Sequence, residues 1–359
     1  LLLFAIGLAL YAAARSSRLV ALVAFSVMLG FAVNLKVHAA VYFIPVAAIL
    51  LKRFGWRPLV ASGLGSAAVI VAPFTLHPQV SAGNYLAWLK NAMDQGLGNQ
   101  SLADTLQFSA FLILPLAVLL FVAPRREAIV KKYGLYLGSL VPAFFLTLVL
   151  AEKPGAGLVH LLPLVPSTLY FAGLILGDLV EGAKLHPVFK GDPWRRSAAV
   201  AVVLTVLFAG SVNAYRAVRL VDWQVDQSPD LSADVKGILG QFPDLTIGMA
   251  CGGENASFRN TWLRPLLVFA DHPLLVEPVS VMDCRLTGME MPPETYQALQ
   301  DGLVALWLVP RNEKPFSKTN WYAPHGPLFS DRFIAHFESL YTRRGHSKYF
   351  DLWLWNGMD

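Results

Sequence analysis

Two short stretches of this chain carry side chains able to hold an anion and to move a proton. Asn34-Leu35-Lys36-Val37-His38 sets an ammonium and an imidazole two positions apart. Ala151-Glu152-Lys153-Pro154-Gly155-Ala156-Gly157-Leu158-Val159-His160 adds a carboxylate, an ammonium and an imidazole within ten positions. Lys36 and Lys153 supply donors for a phosphate, and His38 and His160 can bond its oxygens or relay a proton. Glu152 is a candidate general base. Pro154 and the two glycines exclude a continuous helix and let backbone amides approach a ligand. Both stretches lie where apolar segments end, and a charge at membrane depth costs roughly 2.5 kcal/mol or more, so it persists where it lines a cavity or binds something. A single flanking lysine also snorkels to the headgroups. The reading therefore rests on the two Lys/His pairs together.

The elements that must position these groups are membrane helices. The sequence is 55% hydrophobic and only 15% charged, where a soluble domain carries about 25% charged residues. A bilayer core takes about 20 apolar residues as helix. On that measure spans fall at 1–14, 19–35, 38–51, 58–76, 106–123, 133–150, 161–180 and 197–213, about eight in all, the second and third joined tightly enough to form a broken pair. The opening Leu1-Leu2-Leu3-Phe4 reads as the middle of a helix, so the chain is expected to continue upstream.

Basic residues cluster at every second loop: Arg15 and Arg18; Lys52, Arg53 and Arg57; Arg125, Arg126, Lys131 and Lys132; Lys184, Lys190, Arg195 and Arg196. The positive-inside rule places all four in the cytoplasm and turns 34–38, 77–105, 151–160 and everything beyond about 214 outward. Residues 1–213 carry a net charge of +9 and residues 214–359 a net of −4, so the basic balance reflects these loops and not a nucleic-acid partner. Within 77–105, Tyr85 and Trp88 stand on a helical pattern that suits either an interfacial helix or a simple connector, and His77 and Asp94 read as solvated loop residues.

Two domains follow: a multi-span domain over 1–213 and a small α/β domain over 214–359. In the second, strands are expected at Leu245–Ala250, Leu274–Val281, Leu303–Val309 and Tyr349–Trp355. Helices are expected at Ala233–Phe242, Thr261–Ala270, Pro293–Gln300 and Ser330–Tyr341, and the alternation argues for an at least partly parallel sheet. Cys251 and Cys284, the only cysteines, each follow or end an expected strand and form a disulfide candidate, free buried thiols being the other reading. Gly252-Gly253-Glu254-Asn255 lacks Rossmann or P-loop spacing, and Asn255-Ala256-Ser257 fits a glycosylation sequon. No His/Cys set has zinc spacing, and His325, His336 and His346 read as surface or packing residues.

A Lys-bearing segment before an aromatic and Pro-containing helix (Leu35-Lys36, then Tyr42-Phe43-Ile44-Pro45), many apolar helices and a carboxy-terminal α/β domain together resemble the C-type membrane glycosyltransferases. The resemblance covers most of the chain as architecture. It implies a multi-pass enzyme of the bacterial inner membrane that moves a sugar from a polyprenyl-phosphate donor to a glycan, lipid or protein acceptor outside the cytoplasm. It also implies a catalytic Asp or Glu, or a divalent-metal ligand, in a first outer loop that would lie upstream of Leu1. A polysaccharide polymerase or ligase using a lipid-diphosphate donor, a transporter, and a non-catalytic membrane scaffold with an interaction domain are the alternatives. No internal repeat between the halves supports the transporter.

Overall fold

The computed structural model describes residues 1–78, 80–97, 102–123, 126–154, 156–185, 193–254, 259–320 and 326–358. Arg125, Gly155, Lys190, the sequon residues Asn255 and Ser257, and His325 lie outside the described residues. The chain divides into two compact units, 1–89 with 96–212, and 90–95 with 213–359.

The first unit is a bundle of apolar helices: α1 (Leu2–Arg15), α2 (Arg18–Leu35), α3 (Ile44–Phe54), α4 (Trp56–Leu76), α6 (Leu102–Val122), α7 (Arg126–Ala151) and α8 (Val165–Leu185), with α5 (Ala82–Asp94) between α4 and α6. A 3₁₀ segment, Val37–Phe43, runs directly into α3, and two short ones, Leu158–His160 and Leu162–Leu164, lead into α8. Six stretches among the described residues are long and apolar enough to cross a membrane: Arg18–Leu35, Val37–Phe54, Trp56–Leu76, Leu102–Phe121, Arg126–Ala151 and Leu158–Asp178. This is the build of a multi-pass membrane protein. The first expected span is the shorter apolar helix α1, and the stretch 197–213 belongs to α9 (Pro193–Gln241).

The α2/α4 seam shows what holds such a bundle where lipid removes the hydrophobic drive between helices. A Cβ on Gly30 would meet the Val69 Cβ at 2.5 Å, so the backbones approach there only because Gly30 has no side chain. The Ser26 hydroxyl reaches across to the Ser62 carbonyl at 2.9 Å. One turn beyond Gly30, the Asn34 amide donates to the Val69 carbonyl at 3.1 Å. That carbonyl lies four residues before Pro73, which has no N–H to offer it. The side chain of one helix fills the hydrogen bond that the proline removes from the other.

The basic loops meet at one end of the bundle. Arg53 donates to the Ala13 and Ser16 carbonyls at the end of α1, and Lys52 donates to the Lys132 carbonyl of α7. Lys132 also pairs with Asp178 of α8 at 2.6 Å, and Tyr133 donates to the same carboxylate at 2.8 Å. Helix α5 has no buried residue, and its Tyr85 packs on Phe74 of α4 with ring centroids 5.2 Å apart.

The second unit carries a four-stranded sheet, order β1-β2-β4-β3, made of β1 (Ile247–Met249), β2 (Leu306–Pro310), β3 (Tyr341–His346) and β4 (Phe350–Trp355). β1 and β2 are parallel, while β4 runs antiparallel to both its neighbours, so the sheet is mixed. Period-two alternation divides it: Leu306 and Leu308 pack with Phe350, Leu352 and Ile238, whereas Trp307 and Val309 pack with Phe316, Phe337 and Tyr341. Covered on both faces, β2 is apolar throughout, as its Leu-Trp-Leu-Val run demands.

Three expectations for this unit are corrected. The stretch 274–281 is not a strand: Glu277 accepts from the Ser280 N–H at 2.6 Å and Pro278 opens the helix Pro278–Leu286. A side-chain cap followed by proline starts a helix, whatever the β propensity of the residues before it. The helix expected to reach Tyr341 ends at Leu340, and Tyr341–His346 is strand β3, its Tyr341 hydroxyl fixed to the carbonyls of Leu299 and Val304. Cys251 and Cys284 are both free thiols. The pairing argument needed a strand before Cys284; that residue instead sits inside the helix Pro278–Leu286, while Cys251 is packed under the sheet after β1.

Candidate functional site

The site is built where α2 and α7 end. The α2 helix stops at Leu35, Lys36 is extended with φ −158° and ψ 110°, and the 3₁₀ segment that follows carries His38 and Tyr42. The α7 helix stops at Ala151, and the chain turns before resuming at Leu158. Gly157 makes that turn at φ 60°, a conformation open to glycine, and its N–H bonds the Ala151 carbonyl at 3.1 Å. Pro154 and Gly157 thus break the helix as their chemistry requires, leaving Glu152 and Lys153 just past the end of α7 and His160 on the 3₁₀ turn that follows.

The four residues singled out for anion binding come together from both stretches. The His38 and His160 rings lie 4.8 Å apart between centroids, inclined by 31°. Lys36, Lys153 and His160 all act electrostatically on the His38 ring, and Lys36 acts on His160. Partial burial holds the Lys36 ammonium below the ordinary lysine value. His160 is buried, and its Nδ1 donates to the Ala156 carbonyl at 2.9 Å, which fixes the orientation of the imidazole. His38 Nε2 is buried and has no hydrogen-bond partner. An anion at this place would meet ammonium donors from Lys36 and Lys153 and ring nitrogens from His38 and His160.

Glu152 joins from the end of α7. Its Oε1 accepts from the Thr105 hydroxyl of α6 at 2.7 Å, and its Oε2 is buried without a partner. Thr105, fully buried, is a site residue that the sequence reading missed. The spacing that exposes it is Thr105-x-x-x-Ser109, two hydroxyls one turn apart in a largely apolar helix. Tyr42 was likewise read only as part of an aromatic segment. It is fully buried, its hydroxyl is unpartnered, and its ring packs edge-on against His38 with centroids 6.0 Å apart.

Other candidates stand apart from this cluster. His77 is the residue at the end of α4, and Asp94 ends α5. His336 is a packing residue, its ring on Tyr296 at 5.4 Å, and His346 closes β3. Among the described residues no three His, Cys, Asp or Glu side chains gather as a metal site. In the second unit, burial pushes the Cys251 thiol up to about 12. No family model, curated protein or solved structure matches this chain.

Proposed function

We propose that this chain is a membrane glycosyltransferase that takes a sugar from a polyprenyl-phosphate donor and delivers it to an acceptor hydroxyl outside the cytoplasm. The observation that carries the reading is the convergence of His38 with His160 at 4.8 Å, with Lys36 and Lys153 in electrostatic range of the same ring. In this reading α1 and the 197–213 stretch of α9 add two spans to the six apolar stretches, the basic loops face the cytoplasm, and residues 214–359 lie outside.

The chemistry follows from the charges. The donor presents a phosphodiester at the membrane surface while its polyprenyl chain lies among the helices. The acceptor oxygen forms the new bond to the anomeric carbon as the bond from that carbon to the phosphate oxygen breaks. The leaving group is a polyprenyl phosphate monoester, and Lys36, Lys153 and the imidazoles stabilise the charge it gains. The acceptor proton passes to the free oxygen of Glu152, which Thr105 holds in place through the other oxygen. Binding of the lipid tail positions the sugar for attack.

The test uses the full chain in lipid nanodiscs with a radiolabelled polyprenyl-phosphate hexose. Lys153→Ala should weaken donor binding by about 1.5–3 kcal/mol, the loss of a charge-assisted bond, with unchanged helical content. A Lys36→Ala/Lys153→Ala double variant that transfers sugar at the normal rate overturns the reading.

A further inference from the structure

Buried hydroxyls in this bundle normally satisfy themselves on their own helix. Ser62, Ser66, Ser139, Thr147 and Thr168 each donate to a carbonyl three or four residues back, at 2.6–3.0 Å. Ser109 and Ser167, although 5% and 0% exposed, make no such bond. The Tyr42 hydroxyl, fully buried, is also unpartnered, whereas Tyr133 at the basic end donates to Asp178. Together with His38 Nε2 and Glu152 Oε2, these are the buried side-chain atoms without a partner among the described residues of the first unit.

They share one end of the bundle. Ser109 stands one turn from Thr105, which holds Glu152. Tyr42 packs on His38, which packs on His160. Ser167 opens α8, three residues after the short 3₁₀ turn that follows His160. An unmatched hydroxyl in an apolar setting is costly, and here the unmatched atoms lie on the chain segments that carry the anion cluster or on the helices α6 and α8 that adjoin it.

We infer that Tyr42, Ser109 and Ser167 form a polyol subsite that binds the hydroxyls of an uncharged sugar ring, next to the Lys/His set that takes the phosphate. The inference rests on the glycosyltransferase reading and names its substrate class. Each sugar hydroxyl is both donor and acceptor, which suits three protein hydroxyls. A sugar bearing a carboxylate would meet the Glu152 charge, and one bearing an ammonium would meet Lys36 and Lys153. A neutral hexose meets neither repulsion.

Two probes separate this inference from the function it rests on: farnesyl phosphate and farnesyl phosphate esterified to glucose, each titrated into the full chain in nanodiscs. The wild type should bind the glucosyl probe more tightly. Ser109→Ala, Ser167→Ala and Tyr42→Phe should each cut that preference by about 2- to 10-fold, one neutral hydrogen bond's worth, while affinity for farnesyl phosphate holds. Lys36→Ala/Lys153→Ala should weaken both probes alike. A structural role would lower the melting temperature, but these hydroxyls have no partner to lose, so the three variants should melt at or above the wild-type temperature. A preference for the glucosyl probe that survives the triple variant overturns the polyol subsite and leaves the phosphate site standing. Wild-type protein that binds both probes equally does the same, and wild-type protein that binds neither overturns both proposals.

Discussion

Replacing Asn34 by alanine tests whether a side chain on α2 substitutes for the hydrogen bond that Pro73 denies to α4. The Asn34 amide reaches the Val69 carbonyl at 3.1 Å across a seam so close that Gly30, one turn away, has no room for a Cβ. Removing the donor leaves that carbonyl unmatched within an apolar helix pair. Interhelical hydrogen bonds in membranes are worth about 0.6 kcal/mol on average and up to about 1.7. Because no N–H four residues on can take over, Asn34→Ala should fall in the upper half of that range. In a Pro73→Ala background residue 73 regains its N–H, and the Val69 carbonyl is served within its own helix. There Asn34→Ala should cost only a few tenths, a coupling of about 1 kcal/mol between two residues on different helices. The cycle can be measured on the full chain in bicelles by steric trapping, with far-UV circular dichroism confirming that each variant stays helical. An Asn34→Ala cost that is equal in the two backgrounds, or larger in Pro73→Ala, refutes the reasoning.

Reporter fusions test the topology: alkaline phosphatase should be active after Trp223 and inactive after Arg126, and the opposite at either site would reverse the orientation inferred from the basic loops. The thiols should differ in reactivity, with a maleimide at pH 8 labelling half-exposed Cys284 in the folded chain and reaching Cys251 only after unfolding, as peptide mass spectrometry would show. The alkaline behaviour of the second unit follows from the same burial. The Cys251 thiol and the Tyr341 phenol are both raised to about 12 in the folded state, against ordinary values of about 8.5 and 10. Above those ordinary values the unfolded chain gives up protons that the folded chain keeps, so stability is full below about pH 8.5 and falls as pH rises toward 12. Cys251→Ser should shift the onset of that loss to higher pH in a denaturant titration, and an unchanged onset would assign it elsewhere.

What the sequence disclosed, it disclosed through strong local chemistry. Apolar length located the six stretches long enough to cross a membrane, and Pro154 with Gly157 marked the break between α7 and α8. The meeting of His38 with His160 was legible because the expected topology puts both stretches at the same end of the helices, even without a contact map. Thr105, Ser109 and Ser167 escaped, because a hydroxyl in an apolar helix looks the same whether it bonds its own backbone or faces a site. Only the contrast with Ser62 or Thr147, each bonded to its own helix, separates the two cases. The misplaced strand at 274–281 shows the same limit from the other side: β propensity was overruled by the Glu277-Pro278 cap, a two-residue signal. Asp234 at the far end of α9 accepts from Ser347 Oγ and from the Lys348 and Tyr349 N–H groups. That grip on the β3–β4 turn spans more than a hundred positions, and nothing local in the sequence announces it.

The two outer strands of the sheet carry a consequence for how copies of this protein meet. Proteins confined to two dimensions meet far more often than proteins free in solution, and an unpaired strand is a template for joining a neighbour's sheet. Here β1 offers only three residues. β3 carries Arg343 and Arg344, and a register shift between Arg343 and Gly345 interrupts its ladder. Arg343 is further tied to buried Asp351 of β4 at 2.8 Å, so the charge is fixed at the border and not merely nearby. One side is short and the other is irregular and positively charged, so neither is a ready template for a neighbour's sheet.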